Sequence, residues 1–239
     1  MPQTLLFVLR DLDDPMIAHE RQAFARAADL DLEQVSVHSV LTGMPDSGLL
    51  KSVDAVFFGG SGAYSVFDDV PWMQTGFDLL HEVCERQIPS WASCFGFQAL
   101  AYALGGEVIR DEDRKELGST LLHLTQAGER DALFGPLPGS FWAQQGHHDV
   151  VVRLPEEVEL LAKGDRVHAQ AFRVRGAPFW ASQFHPELRL SQTLERFTFY
   201  RDHYFDNPEE FEEARAQLAR GKETPEVGSL LSRFVRGDY

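Results

Sequence analysis

Short apolar runs alternate with helical periodicities through the first half of this sequence, and that alternation limits the fold more than any other feature. TLLFVL (residues 4–9), QVSVHSV (34–40), DAVFFGG (54–60) and IPSWAS (88–93) read as strands. HERQAFARAADL reads as a helix with Phe24, Ala25 and Ala28 on one face. PWMQTGFDLLHEVCER repeats Trp72, Phe77, Leu80 and Cys84 at helical spacing, with Pro71 suited to a first helical position. FGFQALAYALGG is a third helix, stopped by Gly105 and Gly106. Strands alternating with helices predict an α/β fold with a parallel sheet and helices on both faces.

The texture changes after Gly106. GSTLLHLT, GSFWAQQ, DVVVRLP, VELLAKG, VHAQAFRV and PFWASQF are short strand-like segments separated by turn signals. LSQTLERFTFYRDHYF then returns to helix, with Phe197, Phe199, Tyr200, Tyr204 and Phe205 expected to pack on the sheet. PEEFEEARAQLARG and PEVGSLLSRFVRG add two helical pieces, the first with an acidic, capped start. The expected architecture is an open, flavodoxin-like sheet, mostly parallel, with a small antiparallel part. Residues 1–205 form the main domain and 206–239 a C-terminal helical extension.

Composition removes several classes of function. A net charge of -15 over 239 residues disfavours nucleic acid and anionic membrane as partners. Two cysteines, Cys84 and Cys94, make no disulfide framework, and no run reaches the roughly 18 apolar residues of a membrane helix. The expectation is a cytoplasmic protein with no membrane association.

Chemistry concentrates at three places. Cys94 stands where the strand SWAS turns into an apolar helix, flanked by the small residues Ala92, Ser93 and Gly96. A helix N-terminus directs amide groups and positive potential at such a residue, which favours a thiolate. The window alone leaves a buried structural cysteine as the other reading. A thiol nucleophile needs a base and an orienting group. FWASQFHPEL supplies both, because a strand delivers His185 at its edge and Glu187 follows two residues on. In isolation this tripeptide also reads as a surface turn. FFGGSGAYS is a glycine-rich strand exit whose Gly59, Gly60 and Gly62 can turn N–H groups toward an oxyanion. It lacks the Lys-Ser/Thr of a phosphate loop. His147, His148 and Asp149 show no zinc-like spacing, so no metal is expected, and Cys84 falls on the apolar stripe of its helix.

Together the three segments resemble the class I glutamine amidotransferase family, in particular its stand-alone, GMP-synthase-like members. That family's elbow reads Gly-x-Cys-x-Gly-His/Met-Gln, matched here by Ala92-Ser93-Cys94-Phe95-Gly96-Phe97-Gln98. Its closing Gln-Phe-His-Pro-Glu is matched in full at residues 183–187. GGSGAYSVFDDVPWM is similar to its oxyanion loop, and the resemblance runs over residues 4–205. It implies that Cys94 attacks the side-chain amide of glutamine, that His185 carries the proton and that Glu187 orients His185. It further implies an oxyanion hole from the N–H groups of Gly60 and Phe95. Gln98 would be a substrate contact, with Gln145, Gly146 and His147 as weaker ones. It implies no cofactor, and a separate synthetase chain as user of the ammonia. The chain departs from the family at Ala92, Ser93 and Phe97; a methyl at residue 92 is compatible only with negative φ. Those departures bear on substrate. A hydrolase of other γ-glutamyl amides and a non-catalytic binding protein stay open beside the amidotransferase.

Overall fold

The computed structural model describes residues 2–201 and 207–239. Five parallel strands form one half of a nine-stranded sheet: β1 (Thr4–Val8), β2 (Val35–Ser39), β3 (Ala55–Phe58), β4 (Ser90–Ser93) and β11 (Phe179–Ser182). Their order is β2-β1-β3-β4-β11. The order continues through β10 (Ala171–Val174), β9 (Val158–Gly164), β6 (Glu116–Leu124) and β7 (Ser140–His147), all paired antiparallel. This antiparallel wing has as many strand pairings as the parallel half. Its four strands fall on four of the six segments read from sequence, the other two being β11 and β8 (Asp149–Arg153). The sequence reading gave no strand to β5 (Glu107–Arg110), which pairs with β8 (Asp149–Arg153) in a small second sheet.

Side chains alternate across the pleat, and each face of the sheet recruits its own helices. Leu5, Phe7, Val56, Phe58 and Ala92 face one core with α2 (Met73–Glu85) and α3 (Phe95–Ala103). Leu6, Val8, Phe57 and Trp91 face the other, with Phe24, Ala25 and Ala28 of α1 (Met16–Ala28). Helix α2 starts at Met73, so Pro71 lies in the turn before it rather than at its first position.

After α4 (Leu190–Phe199) come α5 (Pro208–Leu218) and α6 (Pro225–Arg236). The Asn207 side chain caps α5 by accepting from the Glu209 N–H at 2.9 Å, as the acidic start suggested. Helix α6 is no loose appendage. Val227, Leu230, Leu231 and Phe234 are buried in the α1-side core, and the Phe234 ring lies 5.9–6.1 Å from those of Phe57, Trp91 and Trp180. The expected boundary at 205/206, with Tyr204 and Phe205, lies outside the described residues. Phe197 stacks on Phe211 of α5, whereas Phe199 is 46% exposed and does not serve the packing expected of it. Among the described residues no helix is long and apolar enough to cross a membrane.

Candidate active site

Three adjacent parallel strands end at one edge of the sheet and place the three sequence motifs side by side. Strand β3 leads to Gly60, β4 to Cys94 and β11 to His185. β4 and β11 are in register, Ser93 opposite Ser182, and the Cys94 N–H donates to the Ser182 carbonyl at 2.8 Å. Ligand sites in open α/β sheets collect at the carboxyl ends of the strands for this reason. Strand β7 folds back onto the same point: the Gln144 carbonyl accepts from the His185 N–H at 2.9 Å.

Cys94 has φ 54° and ψ -104°, a conformation that non-glycine residues rarely hold. Such strain costs on the order of 1–3 kcal/mol and persists where the surroundings enforce it. Here the strand before and the helix after enforce it. Gly96 makes the close approach feasible, because a Cβ there would come within 3.0–3.1 Å of Phe58 and of the Ala92 methyl. Ala92 itself has no positive φ, so the methyl that replaces the family's glycine carries no backbone penalty. The Cys94 thiol donates to the Gly146 carbonyl at 3.7 Å and receives the Gln183 amide at 3.9 Å.

His185 Nδ1 lies 2.6 Å from Glu187 Oε1. An ionised carboxylate can only accept, so Nδ1 carries the proton and Nε2 turns toward the sulfur. Burial alone would depress the imidazolium. The Glu187 carboxylate and the Cys94 sulfur, each also a hydrogen-bond partner, overcome it and push the His185 pKa up to about 10. Burial raises the Glu187 carboxyl, but the His185 charge and bond, with Arg196 behind them, leave it lowered. A Cβ on Gly60 would stand 3.1 Å from the His185 ring and 3.6 Å from Cys94 Cβ, so the glycine lets this loop approach the dyad closely.

Gly60, Cys94, Gln145, Gly146, His147 and His185 line one cleft of about 170 Å³. Phe95 reaches the site only through its backbone: its side chain is in the core, and its N–H is among the first of α3, which have no partner within the helix. Gln98 is buried beside the site. Its amide nitrogen donates to the Asp149 carbonyl at 2.9 Å and to Gln183 Oε1 at 3.2 Å, so both hydrogens are taken below the cleft floor. It braces Gln183, and Gln183 touches the sulfur. Gln145 donates to Gln170 at 2.7 Å, and His147 bridges the Asp149 carbonyl at 3.0 Å and Glu116 at 3.1 Å. Among the described residues no group of three or more His, Cys, Asp or Glu is arranged to hold a metal ion.

Sequence reasoning missed the charged residues behind the triad. Arg196 on α4 lies 3.7 Å from Glu187 and 3.6 Å from Glu20, and Glu20 accepts from Arg10 at 2.9 Å. All four are buried. The signal was present: a lone arginine between Thr193, Phe197 and Tyr200 on the inward stripe of α4 must find buried carboxylates.

The two thiols should differ sharply in reactivity. Burial and Glu85 push Cys84 up to about 11, while Cys94 sits at the N-terminus of α3 beside His185. Limited iodoacetamide at neutral pH, followed by peptide mapping, should label Cys94 first, although Cys84 is the less buried. Preferential labelling of Cys84 would contradict the assignment.

Comparison with known proteins gives the family and the fold. The family model "Glutamine amidotransferase class-I" matches residues 25–201. The glutamine-hydrolysing GMP synthase subunit of Sulfolobus acidocaldarius is 32% identical over 164 residues, 68% of this chain and 82% of that protein. The glutamine-hydrolysing GMP synthase of Porphyromonas gingivalis is 34% identical over 143 residues, 60% of this chain, and the matched part spans only 26% of that longer protein. The crystal structure of a glutamine amidotransferase from Thermotoga maritima superposes with a TM-score of 0.71 at 21% identity, covering 98% of both chains. With a matching family model over most of its length, the chain belongs to the class I glutamine amidotransferase family.

Proposed function

We propose that this chain hydrolyses the side-chain amide of glutamine through a γ-glutamyl thioester on Cys94 and releases ammonia. The observation that carries the reading is Cys94 on its strained elbow beside the His185 imidazole, which Glu187 fixes through Nδ1. The Cys94 thiolate attacks the amide carbon. The N–H groups of Gly60 and Phe95 receive the negative charge that develops on oxygen. The C–N bond breaks as His185 Nε2 gives its proton to the departing nitrogen. Water then enters, the now neutral His185 takes a proton from it, and the thioester opens to glutamate and the free thiol. Glu187 holds the imidazole in one tautomer throughout and stabilises its charge.

The relative from Sulfolobus acidocaldarius is named as one subunit of a synthase, and most of it is covered by this chain. By that analogy the ammonia passes to a separate synthetase chain. A free thiol nucleophile suits a reducing, cytoplasmic compartment.

The sign of the His185 shift gives a pH test. Its pKa is raised, so the imidazolium needed to protonate the leaving group persists until pH approaches about 10. kcat/KM for glutamine should therefore fall on an alkaline limb near that pH. Glu187→Gln removes the carboxylate that raises the pKa and leaves burial, which lowers it. The limb should move to lower pH. Glutamate and ammonia should appear in equal amounts from glutamine. A purified enzyme that yields neither, with or without cell extract, contradicts the reading; an alkaline limb that Glu187→Gln does not move contradicts the role given to Glu187.

A further inference from the structure

The side of the cleft by which ammonia would depart is built for a larger group. His185 protonates the leaving nitrogen, so whatever that nitrogen carries lies on the His185 side of the sulfur. The turn after His185 and helix α4 form that side. The Leu188 N–H donates to the His185 carbonyl at 3.3 Å, which ties the turn to the base. Thr193, Arg196, Phe197 and Tyr200 follow at i, i+3, i+4 and i+7, the spacing of a single helical face, and all four are buried and line the cleft. The Tyr200 ring is seated against the oxyanion loop, where a Cβ on Gly62 would come within 2.7 Å of it. Arg196 is held by Glu187 and Glu20, so the rest of this wall presents mainly Leu188, Phe197 and Tyr200. The opposite wall, from the start of β6 and from β7, is richer in polar groups, with Lys115, Glu116, Gln145 and His147 beside Leu117.

Ammonia makes no use of an apolar wall. An apolar group on the amide nitrogen of a substrate would itself leave water on packing against that wall and gain from doing so. We propose that this chain cleaves N-substituted γ-glutamyl amides whose amine carries an aromatic or aliphatic group. That group lies against Leu188, Phe197 and Tyr200, while the charged glutamyl head takes the polar wall. The inference rests on the Cys94 thioester chemistry proposed above. The thiolate displaces a primary amine in place of ammonia, His185 gives that amine its proton, and water releases glutamate from the same thioester, so glutamate and amine form in equal amounts.

The test compares L-glutamine with L-γ-glutamyl benzylamide on the full chain, following ammonia, benzylamine and glutamate. Apolar complementarity of this kind is worth on the order of 10- to 200-fold in kcat/KM, so the benzylamide should be preferred by a factor in that range. Phe197→Ala should lower the benzylamide-to-glutamine ratio at least tenfold. Phe197→Leu, which keeps an apolar contact with Phe211, should lower it less and guards against loss of folding in the alanine variant. Benzylamine release should vanish in Cys94→Ala. Cleavage of glutamine without cleavage of the benzylamide, or a ratio unmoved by both Phe197 variants, overturns the inference and leaves the glutaminase reading standing. Cys94-dependent benzylamine release with no ammonia from glutamine supports the inference and overturns that reading. Cleavage of neither compound overturns both.

Discussion

Replacing Cys94 by alanine should cut ammonia release from glutamine by on the order of 10⁴ to 10⁶, the loss seen when a covalent nucleophile is removed from an intact catalytic unit. The alanine has no sulfur to attack the amide carbon, and His185 is then a base without a partner. The N–H groups of Gly60 and Phe95 belong to the backbone and survive the change, so glutamine should still bind. The variant should also be no less stable than wild type. Position 94 keeps its strained φ of 54° for any L-residue, and the thiol's own bonds are long contacts of 3.7 and 3.9 Å. Steady-state ammonia release and a thermal melt on the same preparation separate the two effects. Equal activity in wild type and variant would end the enzymatic account.

Arg196→Met should be the most damaging change outside the triad. The guanidinium is within 4 Å of two buried carboxylates, at 3.7 Å from Glu187 and 3.6 Å from Glu20, and methionine keeps the stem while removing the charge. Breaking a buried ion pair on one side costs about 3–5 kcal/mol, because the partner is left uncompensated in a poor solvent. Arg10 still neutralises Glu20 at 2.9 Å, which places the expected loss at the lower end, about 3 kcal/mol. Urea denaturation should show an earlier midpoint with an unchanged slope. Activity should fall as well, since Arg196 helps to hold the Glu187 carboxyl low and hence charged beside His185. Arg196→Lys should recover part of both losses. A midpoint equal to that of wild type would show that the charge is not needed there.

The parallel half of the sheet was legible because its strands are short apolar runs bounded by turn residues and separated by amphipathic helices. The antiparallel strands were also legible as segments, but their order was not. Nothing local in SFWAQQGH says that β7 will sit at the end of the sheet order and return its Gln144 carbonyl to His185. Strand β5 was missed since EVIR alternates too briefly, and its pairing with β8 decides the matter. Cys94, His185 and Glu187 were readable from spacing and motif together, and the sheet register brings them to one edge. Gln98 was readable as a position but not in its bonds: its amide nitrogen is held by the Asp149 carbonyl and Gln183 Oε1, both on segments distant in sequence. Arg10, Glu20 and Arg196 were overlooked because each sits on a different element. Charged residues in separate helices and strands announce a buried cluster only when the tertiary packing joins them.

The central claim is a covalent one, and acid quenching tests it directly. Enzyme mixed with glutamine and stopped in acid within one turnover should carry one γ-glutamyl group, and peptide mass spectrometry should find it on the peptide containing Cys94. Hydroxylamine should remove it, as it does a thioester. Cys94→Ala should carry none. A glutamyl adduct on Cys84, or ammonia release from glutamine with no adduct on Cys94 at any quench time, would contradict the account.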